Sequence, residues 1–137
     1  MTSHRTTTID PVKAVTRSRV LIGFVAAMSA LVAQASGPQT MTLTMQGQKG
    51  FFTERCFSLE GGQRLSYQFG TRHPIDFNLH HHRTDGTTVF PDRLVVKSQH
   101  SKQIVAESAG AYCFMATNVD EQPGAFDVVI NYEITAH

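Results

Sequence analysis

The sequence predicts an all-β protein, an antiparallel β-sandwich of about eight strands, and three observations carry the prediction. Apolar and polar residues alternate with period two through nearly every segment after Pro38, no window shows an apolar stripe of helical period, and turn-forming clusters recur between the alternating runs. At 137 residues the chain has room for one domain, and no internal repeat, heptad pattern or low-complexity tract points to anything else.

The first element to place is one that does not belong to the sandwich. Lys13, Arg17 and Arg19 precede the apolar run VLIGFVAAMSALV, which ends at Ala33-Gln34-Ala35. A basic region, an apolar region and a small-residue A-x-A motif in that order read as a secretory signal peptide over residues 1–35. The run falls short of the roughly 20 apolar residues of a spanning helix, so a membrane anchor is the weaker alternative and no stable span is expected after cleavage. The region before the apolar run is long for a leader, which favours a start codon downstream of Met1. Ser36, not a cysteine, stands directly after Ala35, so there is no residue there to take a lipid. Removing residues 1–35, with Arg5, Lys13, Arg17 and Arg19 against Asp10, leaves 102 residues with eight Lys/Arg and ten Asp/Glu, a net charge of −2. Residues 36–40 read as a short linker and 41–137 as the domain.

Within that domain the strands follow one another. MTLTMQG puts Met41, Leu43 and Met45 on one face, and RLSYQF does the same with Leu65, Tyr67 and Phe69. PIDFNLHHH points Ile75, Phe77 and Leu79 inward and Asp76 and Asn78 outward. Thr84-Asp85-Gly86 is a hairpin signal, so residues 75–82 and 87–90 should pair. Pro91-Asp92 reads as a further punctuator, followed by strands at RLVVKS, KQIVAE and AYCFMATN. The last run, AFDVVINYEIT, aligns Phe126, Val128, Ile130, Tyr132 and Ile134 on a single face. Glu60-Gly61-Gly62, Ala109-Gly110 and Gln122-Pro123-Gly124 supply other turns. Phe51-Phe52 cannot both face one core in a regular strand, so either one is exposed at a partner surface or a bulge buries both.

Cys56 and Cys113 are the only cysteines, and an even count in an exported chain favours one disulfide. The alternative is a redox or metal pair, for which no C-x-x-C spacing is present.

The segments ERCFSLEGGQRLSYQFG and AGAYCFMATNVDEQPGAFDVVINYEI together resemble the GOLD (Golgi dynamics) domain family, over nearly all of residues 41–135. That resemblance implies a jelly-roll-like sandwich and, as in the lumenal cargo-receptor members, a bond between Cys56 and Cys113. FNLHHH followed by VFP, with YCFM later, is similar to small exported bacterial proteins with a GOLD-like sandwich. What the resemblance implies for function is a binding or interaction module.

Strand parity gives the run His80-His81-His82 its meaning. His81 follows Leu79 inward, packing and hydrogen-bonding under the hairpin, while His80 and His82 share the outer face. His-x-His on a strand sets two imidazoles about 7 Å apart at Cα, which is half of a Cu or Zn site. His73, Asp76, His100 and Met115 are the candidate further donors, with Met115 read as core packing in preference to a ligand if the disulfide lies in the core. The competing reading is an exposed polar strand end.

No catalytic residue is expected. The chain has no G-x-S-x-G elbow, phosphate-binding loop, H-E-x-x-H or dinucleotide fingerprint. Ser98-Gln99-His100-Ser101 reads as solvated loop, and Asp76, Asp85 and Asp92 as turn or surface carboxylates. Arg55, Arg64, Arg72, Arg83 and Arg93 are scattered, without the interleaved aromatics of a nucleic-acid surface. The expectation is therefore a periplasmic or secreted GOLD-like module that takes a protein partner or ligand without catalysis. The alternative is a periplasmic copper- or zinc-binding protein using His80 and His82.

Overall fold

The computed structural model describes residues 36–136. The signal peptide read over residues 1–35 lies outside them. Every regular element among the described residues is a strand: β1 Ser36–Met45, β2 Phe52–Leu59, β3 Arg64–Gly70, β4 Ile75–His82, β5 Thr88–Val96, β6 Gln99–Val105, β7 Gly110–Asn118 and β8 Phe126–Thr135. They form two four-stranded antiparallel sheets, β1-β8-β3-β6 (sheet I) and β2-β7-β4-β5 (sheet II). The pairs β1·β8, β2·β7, β3·β6 and β4·β5 are those of one long hairpin, with the turn after His82 at its tip, rolled until β8 meets β3 and β7 meets β4. This is the jelly-roll arrangement of a sandwich.

Alternation builds the core as the pattern predicts. Leu43, Leu65, Phe77, Leu79, Phe114 and Ile130 are completely buried between the sheets, each contributing about 1.5–3 kcal/mol by removal from water. Tyr67, Phe69, Phe77 and Phe114 interlock, with ring centroids 4.6 Å apart for Phe69–Phe77 and 5.0 Å for Tyr67–Phe114. The Asp-Gly hairpin forms where expected. Gly86 takes φ +85°, its N–H reaches Arg83 O at 3.0 Å, and Asp85 Oδ1 accepts from the Thr87 N–H at 2.9 Å.

Three elements differ from the sequence reading. Residues 36–40, read as a linker, are the first half of β1, where Pro38 sits in a register shift on an edge strand and no ladder donor is missed. Pro91-Asp92 is not a turn. The strands expected at 87–90 and RLVVKS are one, β5, and Pro91 lies in a bulge on this sheet-edge strand, between the Leu79↔Asp92 and His81↔Val89 partners. Strand β2 is the compensating addition. Its alternation is inverted, because Phe52 and Cys56 face outward while Thr53 and Arg55 share the inward parity of Phe57, so the sequence pattern hid it. Of the aromatic pair, Phe51 packs against the core and Phe52 is 59% exposed.

Candidate functional site

The outer face of sheet II gathers most of the chemistry-bearing side chains. Cys56 on β2 faces Cys113 on β7, which faces His80 on β4, so the three form one rung across the sheet. The next rung carries Glu54, Met115, Asn78 and Arg93. The cysteines are joined by a disulfide, Cα–Cα 4.0 Å, that lies on this outer face and not in the core; Cys113 is 1% exposed and Cys56 is open to solvent.

His80 points outward as strand parity requires, yet it is only 5% exposed. The disulfide and Glu54 flank it on one side; His82 and Phe90 flank it on the other, at ring centroids of 4.9 Å and 5.9 Å. Its Nδ1 lies 2.8 Å from Asn78 Oδ1, an acceptor, so Nδ1 carries the proton and Nε2 presents its lone pair. That lone pair faces Glu54 Oε2 at 3.5 Å. Burial lowers the His80 pKa, as does neighbouring His82, against the opposing pull of Glu54. Glu54 Oε1 is 3.3 Å from Cys56 Sγ, a contact without a proton because a disulfide sulfur has none to donate.

Of the residues the sequence offered as metal donors, the fold brings His80, His82 and Met115 together on this face, leaves Asp76 at its far end, and places His73 and His100 elsewhere. His82 is exposed, and its Nδ1 is 3.1 Å from Thr88 Oγ1. Met115 is half-buried on the adjacent rung, paired with Glu54 and Asn78. Asp76 shares the face but lies four residues, about 13 Å, from His80 along the strand. His73 lies before the start of β4, its ring against Phe126 at 4.8 Å. Sequence reasoning missed Glu54, because β2 was not delimited and its face could not be assigned. His81 behaves as parity predicts: it faces inward, stacked on Tyr112 at 4.3 Å, with Nδ1 3.1 Å from Ala111 O and Nε2 3.0 Å from Ser108 Oγ.

A second polar cluster spans the edge where β5 of sheet II approaches β6 of sheet I. Asp92, 7% exposed, accepts from Tyr67 Oη, from His100 Nε2 at 2.6 Å and from Lys102 Nζ at 2.9 Å. Burial works against its charge, but the donors from Tyr67, Lys102 and His100 outweigh it and hold the carboxyl below its ordinary pKa. Burial, reinforced by the hydrogen bond to Asp92, pushes the Tyr67 hydroxyl far above its usual range and keeps it a donor. His100 is therefore on a strand and committed to Asp92, not in the solvated loop read from Ser98-Gln99-His100-Ser101, and Asp92 is a core anion and not a turn residue.

The outer face of sheet I is different in kind. Its shallow depressions, of about 410 and 570 Å³, are lined largely by amides and hydroxyls such as Gln68, Ser101, Gln103 and Asn131, with Lys102 and Glu133 at the larger one.

No protein-family model matches the chain, and no curated protein matches it in sequence. Solved structures do resemble it in fold, one of them with a TM-score above 0.5. Aeromonas hydrophila PliG, a periplasmic inhibitor of g-type lysozyme, superimposes with a TM-score of 0.55 at 12% identity, over 72% of this chain and 87% of that one. A Sulfurospirillum deleyianum protein gives 0.46 at 13% identity, over 75% of this chain and 100% of that one. The Yersinia pseudotuberculosis-derived mitogen gives 0.44 at 15% identity, over 73% and 86%. At 12% identity the likeness to PliG is one of fold.

Proposed function

We propose that this chain is an exported, non-catalytic binding module whose partner is a protein, held on the outer face of sheet II. The observation that carries the reading is the side-chain content of that face. Phe52, Phe90 and Val95 are 59%, 47% and 52% exposed there, and Arg93 lies over the Phe90 ring at 5.5 Å. Exposed aromatics with an arginine are the residue types that dominate protein interfaces. The signal-like N-terminus, the disulfide and the fold shared with a periplasmic inhibitor support export and a protein partner, and the GOLD-like resemblance agrees with a lumenal or exported binding sandwich. The test is photo-crosslinking in cells, with the crosslinking residue placed at Phe52, Phe90 or Val95 and, as control, at Thr42 on sheet I. A discrete protein adduct from the sheet II positions alone supports the reading. No adduct, or the same adduct from Thr42, overturns it. A purified g-type lysozyme is the first partner to add, given the activity of PliG.

A second reading is favoured by His80 specifically: a Cu or Zn ion held by His80 and His82, with Glu54 as the third donor. The support is a buried imidazole whose free lone pair faces a carboxylate at 3.5 Å. Titration of the disulfide-bonded protein with Cu(II) or Zn(II) tests it. One ion bound, and lost in the His80→Ala/His82→Ala variant, is the expected result; equal binding by both proteins sinks it.

A further inference from the structure

We propose that Glu54, His80, Cys56 and Cys113 form a four-donor zinc site that is incomplete while the disulfide is intact and is completed on its reduction. The proposal rests on the metal reading of this face, puts the two cysteine sulfurs in the place of His82, and adds a redox gate.

Three of the four donors already converge, and the fourth, Cys56, is bonded to one of them and in contact with another. Glu54 Oε2 and His80 Nε2 are 3.5 Å apart, and Glu54 Oε1 and Cys56 Sγ are 3.3 Å apart. Donor atoms of Glu54, His80 and Cys113 lie within 4.8 Å of one another. With zinc–nitrogen, zinc–oxygen and zinc–sulfur bonds of about 2.1, 2.1 and 2.3 Å, the edges of a tetrahedral site run from about 3.4 to 3.8 Å. The Glu54–His80 contact therefore has nearly the length of a site edge, and the other oxygen of the same carboxylate holds Cys56 Sγ beside it. The two sulfurs are bonded to each other in the disulfide and offer no thiolate. Asn78 contributes by holding the His80 Nδ1 proton at 2.8 Å, which fixes the ring with Nε2 toward the other donors. The strands impose this convergence. Cys56, Cys113 and His80 are one rung of three paired strands, and Glu54 is one side-chain step along β2 on the same face.

The gate has an accessible side. Cys56 is exposed and Cys113 is buried, so an incoming dithiol reductant meets Cys56 Sγ first. Its thiolate attacks Cys56 Sγ, the Cys56–Cys113 bond breaks, and Cys113 leaves with the electron pair as a thiolate beside His80. The second thiol of the reductant then attacks the mixed disulfide, frees Cys56 and leaves as the reductant's own disulfide, having supplied two electrons. Zinc(II) takes the two thiolates, the neutral imidazole and the carboxylate without changing oxidation state. Protons that the thiols hold at neutral pH pass to solvent.

The experiment is a zinc(II) competition titration of the purified protein in both redox states. The reduced state is prepared anaerobically with a phosphine that is then removed, and circular dichroism confirms that the strands persist. Cobalt(II) serves as a spectroscopic substitute whose thiolate charge-transfer absorption reports the sulfur ligands. The expected result is one ion per chain in the reduced protein, bound at least about tenfold more tightly than in the oxidised protein. Glu54→Gln and His80→Ala should each weaken binding to the reduced form by about 10- to 100-fold, the scale on which even the partners of metal ligands act. His73→Ala, before the other end of β4, should leave it unchanged.

Reduced-state binding that ignores Glu54→Gln and His80→Ala would mean thiols acting alone and would overturn the proposal. So would loss of the strand signal on reduction, since no preassembled site would then exist. Binding by the oxidised protein that needs His80 and His82 and is not tightened by reduction upholds the metal reading and overturns the gate. Absence of binding in either state overturns both.

Discussion

His100 Nε2 lies 2.6 Å from Asp92 Oδ2, and this contact joins the edge strand of one sheet to the edge strand of the other. Strands β5 and β6 share no ladder, so the open side of the sandwich is bridged here by side chains around one buried carboxylate. Replacing Asp92 with Ala strands the Tyr67 hydroxyl and the His100 ring without their acceptor, and should cost about 3 kcal/mol in urea unfolding. Lys102, 38% exposed, is the weaker arm, and Lys102→Ala should cost less than about 1 kcal/mol. Equal losses from the two substitutions would show that the carboxylate does not organise the cluster.

Acid should act through the same residue. The folded protein holds the Asp92 carboxyl below its ordinary pKa, so its contribution to stability is complete above the unfolded-state value, near 3.9, and is lost as pH falls through the depressed folded value. The wild-type protein should therefore lose stability progressively below about pH 5, and Asp92→Asn should show a shallower loss over that window. Thermal unfolding of both proteins between pH 7 and pH 2 measures it; parallel curves would assign acid sensitivity to other carboxylates.

The strand faces were legible because alternation is a burial code: Leu65, Tyr67 and Phe69, or Phe77 and Leu79, could face only one way. The same parity placed His81 inside and His80 outside. What it could not carry was partnership between strands far apart in sequence. Glu54 reaches His80 only because β2 and β4 both flank β7, and Asp92 becomes a core anion only because a bulge at Pro91 turns it inward against Tyr67 and His100. A Pro-Asp pair has the composition of a turn, so the local signal pointed away from its actual role. His80, outward by parity, is buried by neighbours from β2 and β5 that parity does not report.

Gly110 carries a constraint that its place in a turn-like Ala-Gly pair does not reveal. Its φ is +153°, and a Cβ there would stand 2.8 Å from His81 Cε1. The ring cannot retreat easily, since it is 2% exposed, stacked on Tyr112 and bonded at both nitrogens. Gly110→Ala should destabilise by about 1–3 kcal/mol. In a double-mutant cycle with His81→Ala, part of that cost should disappear because the clashing ring is gone. Strict additivity would locate the whole cost in the backbone.

The disulfide should stabilise the domain mainly through the unfolded chain. Cys56 and Cys113 are already direct neighbours across the β2·β7 ladder, so the folded state keeps its strands and outer-face packing when the bond is absent. The unfolded chain, by contrast, is closed into a loop by a bond of sequence separation 57, and releasing it restores entropy worth about 4 kcal/mol in the chain-entropy model. Cys56→Ser/Cys113→Ser should lose roughly that amount, and its urea m-value should rise because the open chain exposes more surface on unfolding. Wild-type protein unfolded in the presence of a reductant should reproduce both changes. A loss well below about 2 kcal/mol with an unchanged m-value would mean that the denatured chain keeps β2 and β7 close without the bond.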